Sequence, residues 1–285
     1  MAFEKVLIPL KLNESRRRMS ALAAAVAGFG ARSAVLLHVV SAESAAADRG
    51  GSDLLEQRCA VFSEHGLRVQ HRTVWYSDAG IVTRVAREIG ADCIAASWKP
   101  KNWIQRSLSG SIIMDAIRTT DVPVFVHKQP LPASWTDPKG PILYATAFDI
   151  VDRFALPLLN NNDFGPGHVI ILHSATRAPD ARSETERSEQ AEVSLGRLAA
   201  RCLNRNVTTL SLTGSPERVI PRQARLAGAR MIVVGKSASV HNGPQQIGRT
   251  AEAIVHARSV SVFVLPADAP VLHAADNWEP EEHRS

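Results

Sequence analysis

Gly90-Ala91-Asp92-Cys93-Ile94-Ala95-Ala96-Ser97 begins a stretch that runs through a polar loop and Gly110-Ser111 into a helical segment. It closes on Val122-Pro123-Val124-Phe125-Val126. The stretch recurs 138 residues later as Gly228-Ala229-Arg230-Met231-Ile232-Val233-Val234-Gly235, a polar loop, Gly248, a helical segment and Val260-Ser261-Val262-Phe263-Val264. A glycine, a strand, a loop, a second glycine, a helix and a Val-Phe-Val strand in one register mark an internal duplication. A repeat of this length sets the fold before any single element is considered.

Outward from the repeat, each half reads the same way. Glu4 to Leu10 and Pro141 to Ala145 are short, largely apolar runs, as expected of strands buried on both faces. Each is followed by a helical pattern, the first through about Val26 with Asn13 or Ser15 as N-cap, the second from Asp149 to Asn160. Second strands follow at Ser33–Val40 and Val169–His173. Residues 41–52 read as a loop. Helices are expected over Asp53–His65 and Ser183–Asn204, third strands over Leu67–Trp75 and Val207–Leu212, and third helices over Ala79–Ile89 and Ser215–Leu226. Pro221 inside the last of these predicts a kink or a late start. Strands alternating with helices predict a parallel sheet covered on both faces, with right-handed crossovers.

Length fits two domains: 1–128, a proline-bearing linker over 129–140, 141–266, and a polar tail over 267–285. Hydrophobic residues make up 45% and charged residues 21% of the chain, an ordinary balance for a packed domain. No apolar run reaches the roughly 18–20 residues of a membrane span. The first residues lead straight into a strand, without a leader pattern. Three widely spaced cysteines, Cys59, Cys93 and Cys202, form neither a disulfide framework nor a zinc ribbon and fit a reducing cytoplasm.

The net charge of +5 belongs to the first half. Residues 1–128 hold 17 Lys and Arg against 12 Asp and Glu, and the remainder holds 16 of each. No basic segment is interleaved with aromatics, so a solvated basic face is preferred to nucleic-acid binding.

In a doubly wound sheet, ligands bind beyond the carboxyl ends of the strands, where strand order reverses. The loop after strand four lies there, and the helix it opens offers free amides to an anion. Here the repeated block resembles the universal stress protein family in its tandem two-domain form, over residues 4–128 and 141–266. Flavodoxin-like, doubly wound, five-stranded parallel sheets in tandem are what the resemblance implies. Nucleotide-binding members carry Gly-x2-Gly-x9-Gly-(Ser/Thr) after strand four and an aspartate after strand one that contacts adenosine.

Both copies depart from that pattern. The first reads Ser97, Pro100, Gly110 and Ser111, with Lys11 at the aspartate position. The second reads Gly235, Ala238, Gly248, Arg249 and Thr250, with Ala147 at the aspartate position. Pro100 removes a backbone donor and fixes φ at about −65°. Lys11 inverts the charge and cannot accept a hydrogen bond from ribose or adenine. The first half is therefore expected to have lost ATP. Gly235, Lys236, Gly248 and Thr250 leave the second half as the place for ATP or another nucleotide, with no cofactor required.

Other chemistry is thin. His38 and His173 occupy matching strand ends, but lack the neighbouring ligands a metal needs, and read as structural histidines. Ser109-Gly110-Ser111 lacks the Gly-x-Ser-x-Gly elbow and fits helix capping. Gly235-Lys236-Ser237 ends like a P-loop, but Arg230 stands where its first glycine belongs. The expectation is a non-catalytic stress-response or signalling protein, set against a nucleotide-dependent switch in domain 2. The family's domains pair by their edge strands, so the resemblance implies that Val122–Val126 meets Val260–Val264 within one chain as a pseudo-dimer. A homodimer is a further candidate, and no membrane partner is expected.

Overall fold

Lys5–Leu10 (β1) and Ile142–Ala145 (β6) have almost no polar side chain to offer water, and each lies inside its half of the sheet. The computed structural model describes residues 3–40, 51–75, 78, 80–98, 112–128, 140–164, 167–203, 205–236, 247–257 and 260–267. The expected linker lies outside the described residues except at Gly140, and so does the expected tail beyond Ala267.

The remaining strands are Ser33–Val40 (β2), Arg68–Trp75 (β3), Cys93–Trp98 (β4), Val124–Lys128 (β5), His168–Ala175 (β7), Asn206–Thr213 (β8), Met231–Gly235 (β9) and Ser261–Leu265 (β10). They form one ten-stranded sheet in the order β3-β2-β1-β4-β5-β10-β9-β6-β7-β8. Each half has the doubly wound order 3-2-1-4-5, all parallel, and each is flavodoxin-like. Only the central junction is antiparallel, with Val124, Phe125 and Val126 opposite Val264, Phe263 and Val262. The outer strands β3 and β8 alternate between sheltered and exposed residues, as befits edges that face water.

The helices are Arg16–Gly28 (α1), Gly51–Ser63 (α2), Ile81–Glu88 (α3), Ile112–Thr119 (α4), Asp152–Leu159 (α5), Ala181–Ala200 (α6), Pro216–Leu226 (α7) and Arg249–His256 (α8). α1 buries Met19, Leu22, Ala23 and Val26, one stripe at the helical repeat. Ser15 is its N-cap in backbone conformation, without a side-chain cap bond. α2 opens at Gly51, ahead of the expected Asp53. α6 starts before the expected Ser183, because the Asp180 carboxylate accepts from the Ser183 amide at 2.9 Å and fixes the entry. α5 starts at Asp152, later than expected, since Asp149 instead caps the preceding turn through the Val151 amide at 3.0 Å. α7 begins at Pro216 and runs through a buried Pro221.

Two apolar layers sandwich the sheet, and each runs across both halves. At the junction five phenylalanines meet. Phe29 lies 5.2 Å from Phe125 and 5.8 Å from Phe263, while Phe164 lies 5.2 Å from Phe263 and Phe3 lies 5.5 Å from it. Phe3, Phe29 and Phe125 come from the first half, Phe164 and Phe263 from the second. The junction is thus core-like, and edge-to-face contacts add to the burial of each ring.

Candidate functional site

The site residues expected from sequence divide into three groups. Pro100, Gly110, Ser111 and Ala238 lie outside the described residues. Lys11 and Ala147 are exposed just beyond β1 and β6. Ser97, Gly235, Lys236, Gly248, Arg249 and Thr250 flank the strand-four loops.

Gly235 ends β9 opposite Leu265. A β-carbon built on it would fall 2.6 Å from both methyl carbons of Val151, the residue leading into α5. The missing side chain therefore makes room for Val151, which is 2% exposed. Gly248 has φ +84° at the N-cap of α8, a conformation that favours glycine. Arg249 is almost fully exposed, 3.8 Å from Glu217, and Thr250 is half-buried in the first turn.

Lys236 reaches into the first half. Its Nζ donates to the carbonyls of Thr120 at 2.6 Å and Arg118 at 3.3 Å, at the C-terminal end of α4 in the other half. The end of a helix presents unpaired carbonyls and a partial negative charge, so an ammonium suits it. Ser97 pairs with His127 within the sheet. Its neighbour Trp98, the repeat counterpart of Lys236, crosses the junction the opposite way and packs edge-on against His256 at 5.2 Å. Lys128 completes the arrangement from the end of β5, donating to Ile254 and Ala257 carbonyls at 2.8 Å each. Burial lowers the Lys128 pKa to about 7. His127 is held down to about 4, by burial first and then by the Arg18 charge.

A polar network peculiar to the second half lies under β6. Tyr144, in the middle of an apolar strand, donates its hydroxyl to Asp152 Oδ1, and Thr146 Oγ1 donates to the same oxygen at 2.8 Å. Asp152 is 5% exposed. Burial raises its pKa, while the two hydroxyls oppose the shift. Burial and the Asp152 charge also raise the Tyr144 pKa. Thr146 Oγ1 in turn accepts from the Phe148 amide at 2.9 Å, and Phe148 has φ +58°. That conformation is costly for an aromatic residue and is held by this bond and by a stack on His173 at 4.4 Å and 26°.

His173 Nδ1 lies 3.1 Å from the Thr146 carbonyl. A carbonyl only accepts, so Nδ1 carries the proton and Nε2 is left as an acceptor. His173, Phe148 and Ala147 line one wall of a cavity of about 340 Å³ at the carboxyl ends of β6, β7 and β8. Ser211 and Thr213 form the second wall, and Glu184, Arg187, Ser188 and Ser194 of α6 the third. Gly235, Lys236 and Gly248 do not line it. Sequence reasoning picked out Ala147 and His173 but missed Asp152, Tyr144 and Arg187. A tyrosine within a buried strand, with aspartates five and eight residues on, was the available signal. Among the described residues, no cluster of three or more His, Cys, Asp or Glu could hold a metal ion, and no helix is long and apolar enough to cross a membrane.

Two doubly wound α/β units in tandem, joined by their fifth strands, define a repeat α/β protein. The universal stress protein family model matches residues 2–128 and 158–266, and the chain belongs to this family. The fold is shared with a universal stress protein from Archaeoglobus fulgidus DSM 4304, at a TM-score of 0.74 and 16% identity over 93% of this chain and 97% of that one. A functionally unknown protein from Pseudomonas aeruginosa PAO1 has a TM-score of 0.62 and 20% identity over 94% of both chains. The cytoplasmic domain of a prokaryotic cation chloride cotransporter has a TM-score of 0.58 and 14% identity, over 93% and 96%. No curated protein matches the sequence.

Proposed function

We propose that this universal stress protein is a non-catalytic stress-response or signalling protein of the cytoplasm in which neither half binds ATP in the family manner. The observation that carries the reading is the occupation of the β9 end by the protein itself. Val151 fills the space above Gly235, and Lys236 is spent on the carbonyls of α4. A lysine so engaged would have to abandon two hydrogen bonds to reach a phosphate. Lys11 and Ala147 supply no acceptor for adenosine. The two domains, 1–128 and 141–266, act as one body through β5 and β10, with Lys128, Lys236 and Trp98 fastening the pseudo-dimer. A second copy of the chain is the remaining candidate for a protein partner, and nucleic acid is disfavoured by the scattered basic charge.

Equilibrium dialysis of the full-length chain against labelled ATP tests the proposal. No saturable uptake is expected at micromolar nucleotide. Micromolar binding that disappears on Gly248→Val would overturn the reading in favour of a nucleotide switch in domain 2.

A further inference from the structure

The cavity between α6 and the carboxyl ends of β6–β8 is lined by none of Gly235, Lys236 and Gly248. Three features converge there. Phe148 is kept at φ +58° and stacked on His173, forming an aromatic platform beside the opening. His173 has its Nδ1 proton committed to the Thr146 carbonyl at 3.1 Å, which leaves Nε2 as an acceptor. Arg187 lines the same cavity without a direct hydrogen bond or ion pair among the described residues, while its charge acts on Glu184 and Asp180 nearby.

The charges narrow the ligand. Glu184 also lines the cavity, but both its oxygens are engaged, one by the Ala178 amide at 2.6 Å and one by the Thr213 hydroxyl at 2.9 Å. The Ala178 amide and the Thr213 hydroxyl hold its pKa down, so it stays ionised. Glu184 and Asp180 both feel the Arg187 charge and Glu184 also that of Arg177, so two carboxylates face two guanidiniums, a near-neutral balance suited to a single negative charge and poorly suited to a di- or triphosphate. A planar guanidinium matches a carboxylate through two parallel hydrogen bonds. The hydroxyls of Ser188, Ser194 and Ser211 each donate and accept, which suits a ligand bearing several hydroxyls of its own. The aromatic pair offers a flat face to the C–H side of a sugar ring.

We propose that this cavity is a binding site for a small polyhydroxylated monocarboxylate, the chemical class of uronic and aldonic acids. Arg187 holds the carboxylate, His173 Nε2 accepts from a ligand hydroxyl, and Phe148 and His173 form the floor. Ala147, at the family's adenosine position, lines the same cavity, so the two readings are separated by their tests: ATP binding would sink the functional reading above, and only the acids' failure to bind would sink this one.

Isothermal titration of the full-length protein with D-glucuronate and D-gluconate tests it, with D-glucose and glucose 6-phosphate as comparison ligands. At least one of the two acids is expected to bind with a submillimolar Kd, with glucose weaker by about tenfold or more, the worth of one charge-assisted pair. Arg187→Gln is expected to remove that advantage, whereas Arg182→Gln, on the same helix, leaves it unchanged. Arg187 is exposed, so its replacement leaves folding intact. Failure of both acids to bind at tens of millimolar would overturn the proposal. So would equal binding of glucose, tighter binding of glucose 6-phosphate, or undiminished binding by Arg187→Gln.

Discussion

Val151 occupies the space that a side chain on Gly235 would need: a β-carbon there would meet its methyl groups at 2.6 Å. The glycine that family resemblance assigns to nucleotide binding is thus explained by packing between β9 and the entry to α5. Gly235→Ala is expected to destabilise the protein by about 1–3 kcal/mol, the usual cost of overpacking. Adding Val151→Ala should recover part of that loss. Urea denaturation of the two single variants and the double variant measures the coupling. Simple additivity would mean that the two residues do not compete for space.

Lys128 sends its ammonium into the C-terminal end of α8, and burial lowers its pKa from 10.5 to about 7. The unfolded chain then binds more protons than the native one between these values, so stability rises with pH across that window and falls as pH drops toward 7. Lys128→Met should flatten the profile between pH 7 and 10 relative to the parent. The expected difference in gain exceeds ~1.4 kcal/mol, the equivalent of one pKa unit. Denaturant midpoints at pH 7, 8, 9 and 10 provide the comparison. Parallel profiles would place the titration elsewhere.

Lys236 makes a different bridge, to the Thr120 and Arg118 carbonyls. Lys236→Met is expected to cost about 1–3 kcal/mol, because two helix-end carbonyls lose a charged donor. A phosphate-binding lysine would show little loss of stability without ligand, so the stability of the ligand-free variant separates the two roles.

Phe263 touches aromatic rings from both halves, including Phe125 at 5.9 Å and Phe164 at 5.2 Å. Phe263→Ala should cost about 3–5 kcal/mol. Because the junction is a shared core, the parent chain is expected to unfold in one calorimetric transition, and the variant in two. Two transitions in the parent would mean that the halves are energetically independent.

Tyr144→Phe removes one of two hydroxyls from a buried carboxylate. The expected cost is about 1–3 kcal/mol. With a donor gone, the Asp152 pKa should rise further, and its proton should be detected at a higher pH by carboxyl NMR titration. An unchanged Asp152 titration would show that Thr146 alone holds the anion.

Much of this architecture is legible in the chain itself. The duplicated Gly-strand-loop-Gly-helix block, the strand and helix periodicities and the Val-Phe-Val runs determine two parallel units with helices on both faces, because apolar strands need burial on both sides; that the two join into one ten-stranded sheet is a tertiary fact. Capping shifted the helix starts: Asp180 and Asp149 hold amides through side-chain geometry that residue type alone does not fix. The glycine loop reads from sequence as a damaged phosphate site. Where Lys236 points, what Val151 covers and which wall Arg187 joins depend on contacts between residues distant in the chain. Sequence determined which groups are present at the strand-four edge beginning at Gly90 and Gly228. Only the tertiary structure decided that packing and junction bonds claim Gly235 and Lys236, because a side chain's role is set by its three-dimensional neighbours.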